Sequence, residues 1–524
     1  MVISLGCSSS CRTVLFRQVV QIPFFWYSAP MKQTVQKCLS AAAVAALFPD
    51  NLSEQLATVQ KELGGEVYLV GGTVRDLLLG RQPGDLDLTV ARDAEQWAKR
   101  LRDITGGTYV ELGREEDAAR VVLRQGLDVD FSSFRAGART IAEDLEKRDI
   151  SVNALAVPIH DLLAGEGQES LPVIDPVGGC ADLEQQRIRV VGPTSFADDP
   201  LRMLRVFRFA AVLCFTVDMD TLEQIQQQRE TIDRVARERV AYELNLIMTS
   251  FRAHQAFSEM RECGLLWEIL PELRTGQGMD QPASHHLDVF EHCLEALHQM
   301  ECVLADLSRY FPETQAEMAG YLRSKQRRVQ MKWAALLHDV GKPFTYGINE
   351  DKGGRITFYN HDLRGADILK EIAGRLRWAK EDTAVIGQLI AGHMRPFFLA
   401  NNQRQGKLTF KACLRLVRKI GEHLPGLFLL AMSDALAGKG ETSPEAIEQE
   451  VAGLFGQLLQ VEEKHVTPVR KAPPLITGKD LIEELGLTPG PLFKEILEQV
   501  EEAHMEHRIS TRAQALALAA RYRG

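Results

Sequence analysis

The chain has 524 residues, 45% hydrophobic and 25% charged, with a formal net charge of -10. That length calls for three or more folded units, and the acidic balance excludes a protein coated in basic patches, so a nucleic-acid partner must be gripped by local arginine clusters. Nine cysteines without paired zinc-ligand spacing in the folded region fit reduced thiols in a cytoplasmic enzyme, and no apolar run reaches membrane-spanning length.

Residues 1–30 carry no acidic side chain, the first being Asp50, and include Arg12, Arg17 and several serines. They read either as an extension ahead of a start at Met31 or as a transit-like segment, and they stand apart from any site. The alanine-rich stretch Gln33 to Phe48 predicts a helix stopped by Pro49, and Leu52 to Leu63 a second, amphipathic one.

Val67 to Val70 has the β-branched bias of a short buried strand that ends at Gly71-Gly72. Two glycines let the backbone approach a ligand with bare N–H groups, and Thr73 to Leu79 then reads as helix with its positive end toward whatever the glycines cradle. After a Gly/Pro turn, Asp85-Leu-Asp87-Leu-Thr-Val90 predicts a strand with both aspartates on one face. Paired carboxylates repel unless a cation lies between them, and a hard divalent ion such as Mg²⁺ suits oxygen ligands. A glycine turn followed by an alternating Asp pair outlines a metal-dependent nucleotidyl transfer site.

This stretch resembles the signature of the template-independent nucleotidyltransferases of the tRNA CCA-adding and bacterial poly(A) polymerase family, whose head belongs to the polymerase-β-like superfamily. The resemblance implies an α+β architecture. Its parts would be a mixed-sheet head over 31–178, an all-α neck and RNA-binding body over 179–280, an all-α HD domain over 281–440 and a helical tail over 441–524. Arg75 and Asp76, just behind the glycines, join Gly71 and Gly72 in the implied nucleotide-binding set.

Past a helix over Asp93 to Thr105, strands follow at Thr108 to Leu112, Ala119 to Leu123 and Leu127 to Phe134. Asp128 and Asp130 share a face, so either can supply a third carboxylate. The family pattern, an acid before a hydroxyl-rich stretch and Phe-Arg, matches Asp130 with Ser132-Ser133-Phe134-Arg135. Lys147-Arg148-Asp149-Ile-Ser151-Val-Asn153-Ala154 resembles the family's R-R-D-x-T-x-N-A element, with Lys147 and Ser151 as departures that keep charge and hydroxyl. There Arg148 would fork onto triphosphate oxygens while Asp149 and Asn153 hold the sugar or orient the arginine.

Asp175-Pro-Val-Gly-Gly-Cys-Ala-Asp-Leu183 resembles the family's head-to-neck hinge, a turn with some mobility. In Asp198-Asp199-Pro200-Leu201-Arg202, Asp199 predicts an N-cap, Pro200 a first helical residue, and Leu204, Phe207 and Ala211 the apolar stripe, with Arg202 and Arg205 on another face. The resemblance here is to E-D-x-x-R, whose second acid and arginine read the edge of the incoming base. Cytosine and adenine each offer an exocyclic amine and a ring nitrogen, so Asp199 and Arg202 suit both CTP and ATP. Glu238, Arg239 and Glu243 resemble the last neck element and brace helices. Nine arginines and no lysine lie between Arg187 and Arg239, a basic patch for a tRNA acceptor stem.

A second constellation begins in the segment His285 to His292. His292, His338-Asp339 in Leu-Leu-His-Asp-Val-Gly-Lys342, His361, His393 and Asp434 resemble the spaced ligands of the HD phosphohydrolase superfamily. Mixed N/O ligation admits Mn²⁺, Ni²⁺, Co²⁺, Fe or Mg²⁺, and the implied chemistry is phosphoester hydrolysis by a metal-activated water.

These features together imply an enzyme that adds CCA, or part of it, from CTP and ATP to tRNA 3′ ends, with Asp85, Asp87 and Asp130 holding two Mg²⁺. Alternatives are a specialised A-adding or CC-adding enzyme or a poly(A) polymerase. The last usually carries a Gly-Arg-Arg-Phe-like element where this chain has Leu112-Gly-Arg-Glu-Glu-Asp117. A rival of another class is an HD nucleotide phosphohydrolase whose head only binds RNA.

Overall fold

The computed structural model of the chain describes residues 38–49, 51–113, 117–165, 169–282, 286–440 and 444–522. Residues 1–30, most of the Gly-Arg-Glu-Glu-Asp segment and His285 therefore lie outside the described residues.

A six-stranded mixed sheet forms the head, in the order Thr108–Gly113, Ala118–Val122, Asp128–Ser133, Asp85–Val90, Val67–Val70, Ala156–Pro158. Asp85–Val90 and Asp128–Ser133 run parallel, in a register that sets Asp85 beside Asp128 and Asp87 beside Asp130. Because side chains alternate, Leu86, Leu88, Val129 and Phe131 point into the core while the aspartates line the opposite face. The helices Leu52–Leu63 and Ala94–Thr105 cover the apolar side with Leu56, Val59, Trp97 and Leu101.

Beyond the head the chain is almost wholly helical, as the α+β reading expects, and its core is continuous with that of the head. A buried ion pair ties neck to HD region: Lys332 Nζ lies 3.1 Å from Glu301 Oε1, which also accepts from the Ala253 N–H at 2.7 Å. The tail builds a separate small core around Leu481, Ile496, Val500 and Ala515.

Two local expectations change, and the connector gains detail. The stretch Gln33 to Phe48 is not one helix; where described, it is a short strand, Cys38–Ser40, paired with Ser170–Pro172, followed by Ala41–Ala45. Ser40 caps that helix by accepting from the Ala43 N–H, so the hydroxyl starts the helix late. The HD region is not purely helical either, since Tyr346–Asn349 and Arg355–Phe358 form an antiparallel hairpin within it. The connector from Asp175 to Leu183 is pinned: the Asp175 carboxylate accepts from the Gly179 and Cys180 N–H groups at 2.7 and 2.9 Å, capping the helix Gly179–Glu184.

A Cβ on Gly179 would sit 2.2 Å from the Ser151 carbonyl oxygen. Gly179→Ala should therefore cost about 1–3 kcal/mol by forcing backbone apart. Thermal melts check this against Gly192→Ala, where a Cβ meets nothing within 4 Å and little change is expected.

Candidate active site and second metal centre

Where the strand Val67–Val70 ends, Gly71 takes a φ of +62° and the helix Gly71–Leu78 begins at once. A Cβ there would stand 3.2 Å from both Asp87 Oδ2 and Arg148 Nη1. The next glycine brings its N–H to Asp87 Oδ2 at 3.1 Å, so in the protein alone this amide holds a carboxylate. Thr73, which sequence reasoning passed over, welds helix to strand: its hydroxyl donates to the Asp85 carbonyl at 3.2 Å and accepts from the Asp87 N–H at 2.8 Å.

Carboxylate oxygens of Asp85, Asp87 and Asp130 lie within 4.8 Å of one another. Burial first, and the charge of Asp85 second, push the Asp87 carboxyl up to about 6. Asp85 rises for the same reasons, burial and then Asp130. A divalent cation among them would remove that repulsion, and hard oxygen donors on one half-buried face fit such an ion. The structure also separates the two candidates for the third acid. Asp130 joins the cluster and Asp128 lies outside it, although Arg120 contacts both, its Nη1 reaching Asp128 at 2.7 Å.

Arg120 is the main residue the sequence reading missed. It faces Asp130 across the antiparallel register and forks onto it with Nε and Nη2 at 2.7 and 2.8 Å. Those charges hold the guanidinium above its ordinary range. The one available signal was its parity, opposite to that of the buried Ala119 and Val121, which puts it on the face away from the core.

Around the glycines the nucleotide-binding candidates form pairs. Arg75 is pinned by the Asp76 carboxylate at 2.8 and 3.0 Å and by Asn153 Oδ1 at 2.7 Å. Arg148 is buried beside Gly71, with Nη2 and Nε at 3.1 and 3.2 Å from Asp144 Oδ2, and burial lowers it to about 10. Asp144 is a third omission: fully buried, it also takes Arg135. Asp149 pairs with Arg205 at 2.6 Å; burial alone would raise that carboxyl, but Arg205 outweighs it and holds the acid well below its usual range. Arg205 thus orients Asp149 and joins neck to head. Arg75, Arg205 and Arg208 surround the ring of Phe209, at 5.6, 5.7 and 4.1 Å from its centroid.

Asp199 is not the N-cap of the long helix, whose regular span is Arg202–Leu213. Pro200 and Leu201 make a tight turn first, with Asp199 Oδ1 accepting from the Leu201 N–H at 3.1 Å and Oδ2 facing Arg239 at 3.0 Å. Arg202 donates to the Lys147 carbonyl at 2.9 Å. The two base-reading candidates thus do not pair with each other.

In the HD region six side chains from separate helices and turns converge. His292 Nε2 lies 3.1 Å from Asp434 Oδ1 and 3.2 Å from His338 Nε2. On the other side, His361 Nε2 lies 3.1 Å from His393 Nε2. Asp339 spans the two pairs, with Oδ2 3.1 Å from His338 and Oδ1 3.2 Å from His361. Backbone carbonyls of Ala335, Phe358 and Ile390 meet Nδ1 of His338, His361 and His393 at 2.9, 2.7 and 2.7 Å, which places the proton there and turns each Nε2 lone pair inward. Inward lone pairs about 3 Å apart, with two buried carboxylates, fit one or two borderline divalent ions. Lys342, at 2.6 Å from Asp339 Oδ2 and 2.7 Å from Gln281 Oε1, is a further charge at this centre.

Removing Arg120 takes away the guanidinium that holds Asp128 and Asp130 and leaves Arg148, beside Asp87, as the nearby cation. Arg120→Ala should lower the melting temperature in EDTA by about 2–4 °C, near 1 kcal/mol for a unit of this size and partial exposure. Added Mg²⁺ should recover more of the stability in the variant than in the unaltered chain, which melts with and without the ion compare.

Known proteins match this chain along most of its length. The family model for the Poly A polymerase head domain matches residues 67–189, that for a probable RNA and SrmB-binding site of polymerase A residues 214–276, the HD domain residues 289–436, and a tRNA nucleotidyltransferase domain residues 446–520. The A-adding tRNA nucleotidyltransferase of Deinococcus radiodurans is 32% identical over 466 residues, 87% of this chain and 95% of that one. The CC-adding tRNA nucleotidyltransferase of Thermus thermophilus is 31% identical over 464 residues, 88% of this chain and 94% of that one. Among solved structures, the Thermotoga maritima CCA-adding enzyme complexed with tRNA shares the fold at 21% identity and a TM-score of 0.57, covering 93% of this chain and 99% of that one. The chain belongs to the tRNA nucleotidyltransferase family, in its form with a Poly A polymerase-type head and an HD domain.

Proposed function

We propose that the chain extends tRNA 3′ ends with CCA, or part of it, from CTP and ATP, without a nucleic-acid template and in the cytoplasm. The observation that carries this is the cluster of Asp85, Asp87 and Asp130 beside the glycine turn at Gly71-Gly72. Mg²⁺ ions held by the three acids would supply counter-charge to the triphosphate and acidify the primer 3′-hydroxyl. The chain's own residues do the positioning: Arg148 and Arg75 face the phosphates, and Asn153 holds Arg75. Arg205 fixes Asp149 at the sugar end, and Asp199 and Arg202 read the base edge. The head is taken as 31–178, the neck as 179–280, the HD region as 281–440 and the tail, a tRNA contact, as 441–524.

Because an A-adding and a CC-adding relative match over nearly the same length at nearly the same identity, incomplete addition is the second reading. tRNA ending before the first C, after one C and after CC, incubated with each of the four NTPs, separates them. Full CCA addition requires CTP on the first two and ATP on the third, whereas activity only with ATP on the CC-ended species makes this an A-adding enzyme. Asp85→Ala with Asp87→Ala should reduce incorporation by ~10³-fold or more, about 4 kcal/mol of barrier.

The HD centre is proposed as a metal-dependent phosphoesterase acting on terminal or cyclic phosphates. Asp339→Ala should abolish hydrolysis of bis(p-nitrophenyl) phosphate in the presence of Mn²⁺ or Ni²⁺ while leaving nucleotide addition intact. Equal hydrolysis by the variant would remove the HD centre from that chemistry.

A further inference from the structure

Resting on the phosphoesterase reading of the HD centre, we propose that the hairpin beside it is a stacking lip for the unpaired 3′ end of an RNA strand, which it feeds to that centre terminal phosphate first.

The hairpin displays large side chains that a folded chain ordinarily hides. Phe344 is 48% exposed, Tyr346 47% and Tyr359 64%. Single exposed apolar residues are unremarkable in proteins, but these rings lie within one turn and hairpin and continue directly into the metal-ligating residues. The path is traceable atom by atom. Lys342 Nζ stands 2.6 Å from Asp339 Oδ2 and 5.6 Å from the centre of the Phe358 ring. That ring lies 6.0 Å from Tyr346. The Phe358 carbonyl meets His361 Nδ1 at 2.7 Å, so the hairpin strand and a ligand share one fixed junction. Arg364, one turn into the helix that His361 begins, lies over Phe344 at 5.4 Å.

Cations set against exposed aromatic rings are the combination that binds single-stranded nucleic acid, since bases stack on rings and phosphates track the charges. A purely apolar partner would make no use of the positive charge that Lys342 and Arg364 set against these rings, whereas a phosphate-bearing strand uses both. A duplex end offers only one outer face for stacking, so an unpaired strand suits several rings better. The phosphate nearest the lip would then meet Lys342 beside Asp339.

The test uses the full-length chain and a six-nucleotide RNA ending in a 2′,3′-cyclic phosphate, with Tyr346→Ala/Tyr359→Ala as the variant. In EDTA, a photoactivatable uridine at the 3′ end should cross-link to residues 344–359 in the unaltered chain. Because stacking is worth a factor of roughly ten or more per base, the variant should lose that cross-link and raise the KM for RNA hydrolysis ~10-fold. Its rate on bis(p-nitrophenyl) phosphate, too small to reach the lip, should hold. A 3′ end that cross-links elsewhere, or an unchanged KM, overturns the lip. A variant that changes only the oligomeric state marks the patch as a protein contact and overturns it too. If the unaltered chain hydrolyses neither substrate, the phosphoesterase reading fails, and the cross-link alone decides whether RNA lies on the hairpin.

Discussion

Three carboxylates crowded on one half-buried sheet face are the constraint around which the head is built. Left to themselves Asp85, Asp87 and Asp130 repel, and burial first, with that repulsion second, raises the affinity of Asp87 for a proton. Every neighbour is placed to hold them there. Thr73 locks the strand to the helix, Gly72 donates its amide to Asp87, and Gly71 has no side chain because Arg148 and Asp87 fill the space. Arg120 neutralises the far side, so the cluster's open charge faces the glycine turn. A site poised this way binds cations strongly because it is destabilised without them.

The HD centre solves a related problem with different atoms. Three of its four imidazoles, those of His338, His361 and His393, are aimed by backbone carbonyls rather than by charge, and Asp339 spans the two histidine pairs. Nitrogen ligands suit borderline divalent ions, whereas an all-oxygen cluster like that of the head suits harder ones. Between them, the buried Lys332–Glu301 pair and the arginines around Phe209 tie helices of the neck to both ends.

Much of this was legible in the sequence where one local rule acted alone. Period-two alternation put Asp85 and Asp87 on one face, and the extent of the helix Leu52–Leu63 followed from its amphipathic spacing. The HD residues came from a spaced motif, and the structure brings all six together. What stayed hidden depends on contacts between distant segments. Arg120 matters only through the register of its strand against Asp128–Ser133, and Asp149 meets Arg205 across 56 residues of chain. Asp199 looked like a cap because Pro200 suits a first helical turn, yet the turn closes on Leu201 and the acid reaches Arg239 instead. The hairpin at Tyr346–Phe358 was masked by the helical character of everything around it.

The measurement that bears most directly on the account is Mn²⁺ binding to the full-length chain followed by electron paramagnetic resonance, with and without Asp85→Asn/Asp87→Asn. The account predicts two distinguishable classes of bound ion, of which the double variant loses the class whose signal responds to CTP or ATP and keeps the other. Undiminished nucleotide-responsive Mn²⁺ in that variant would contradict it.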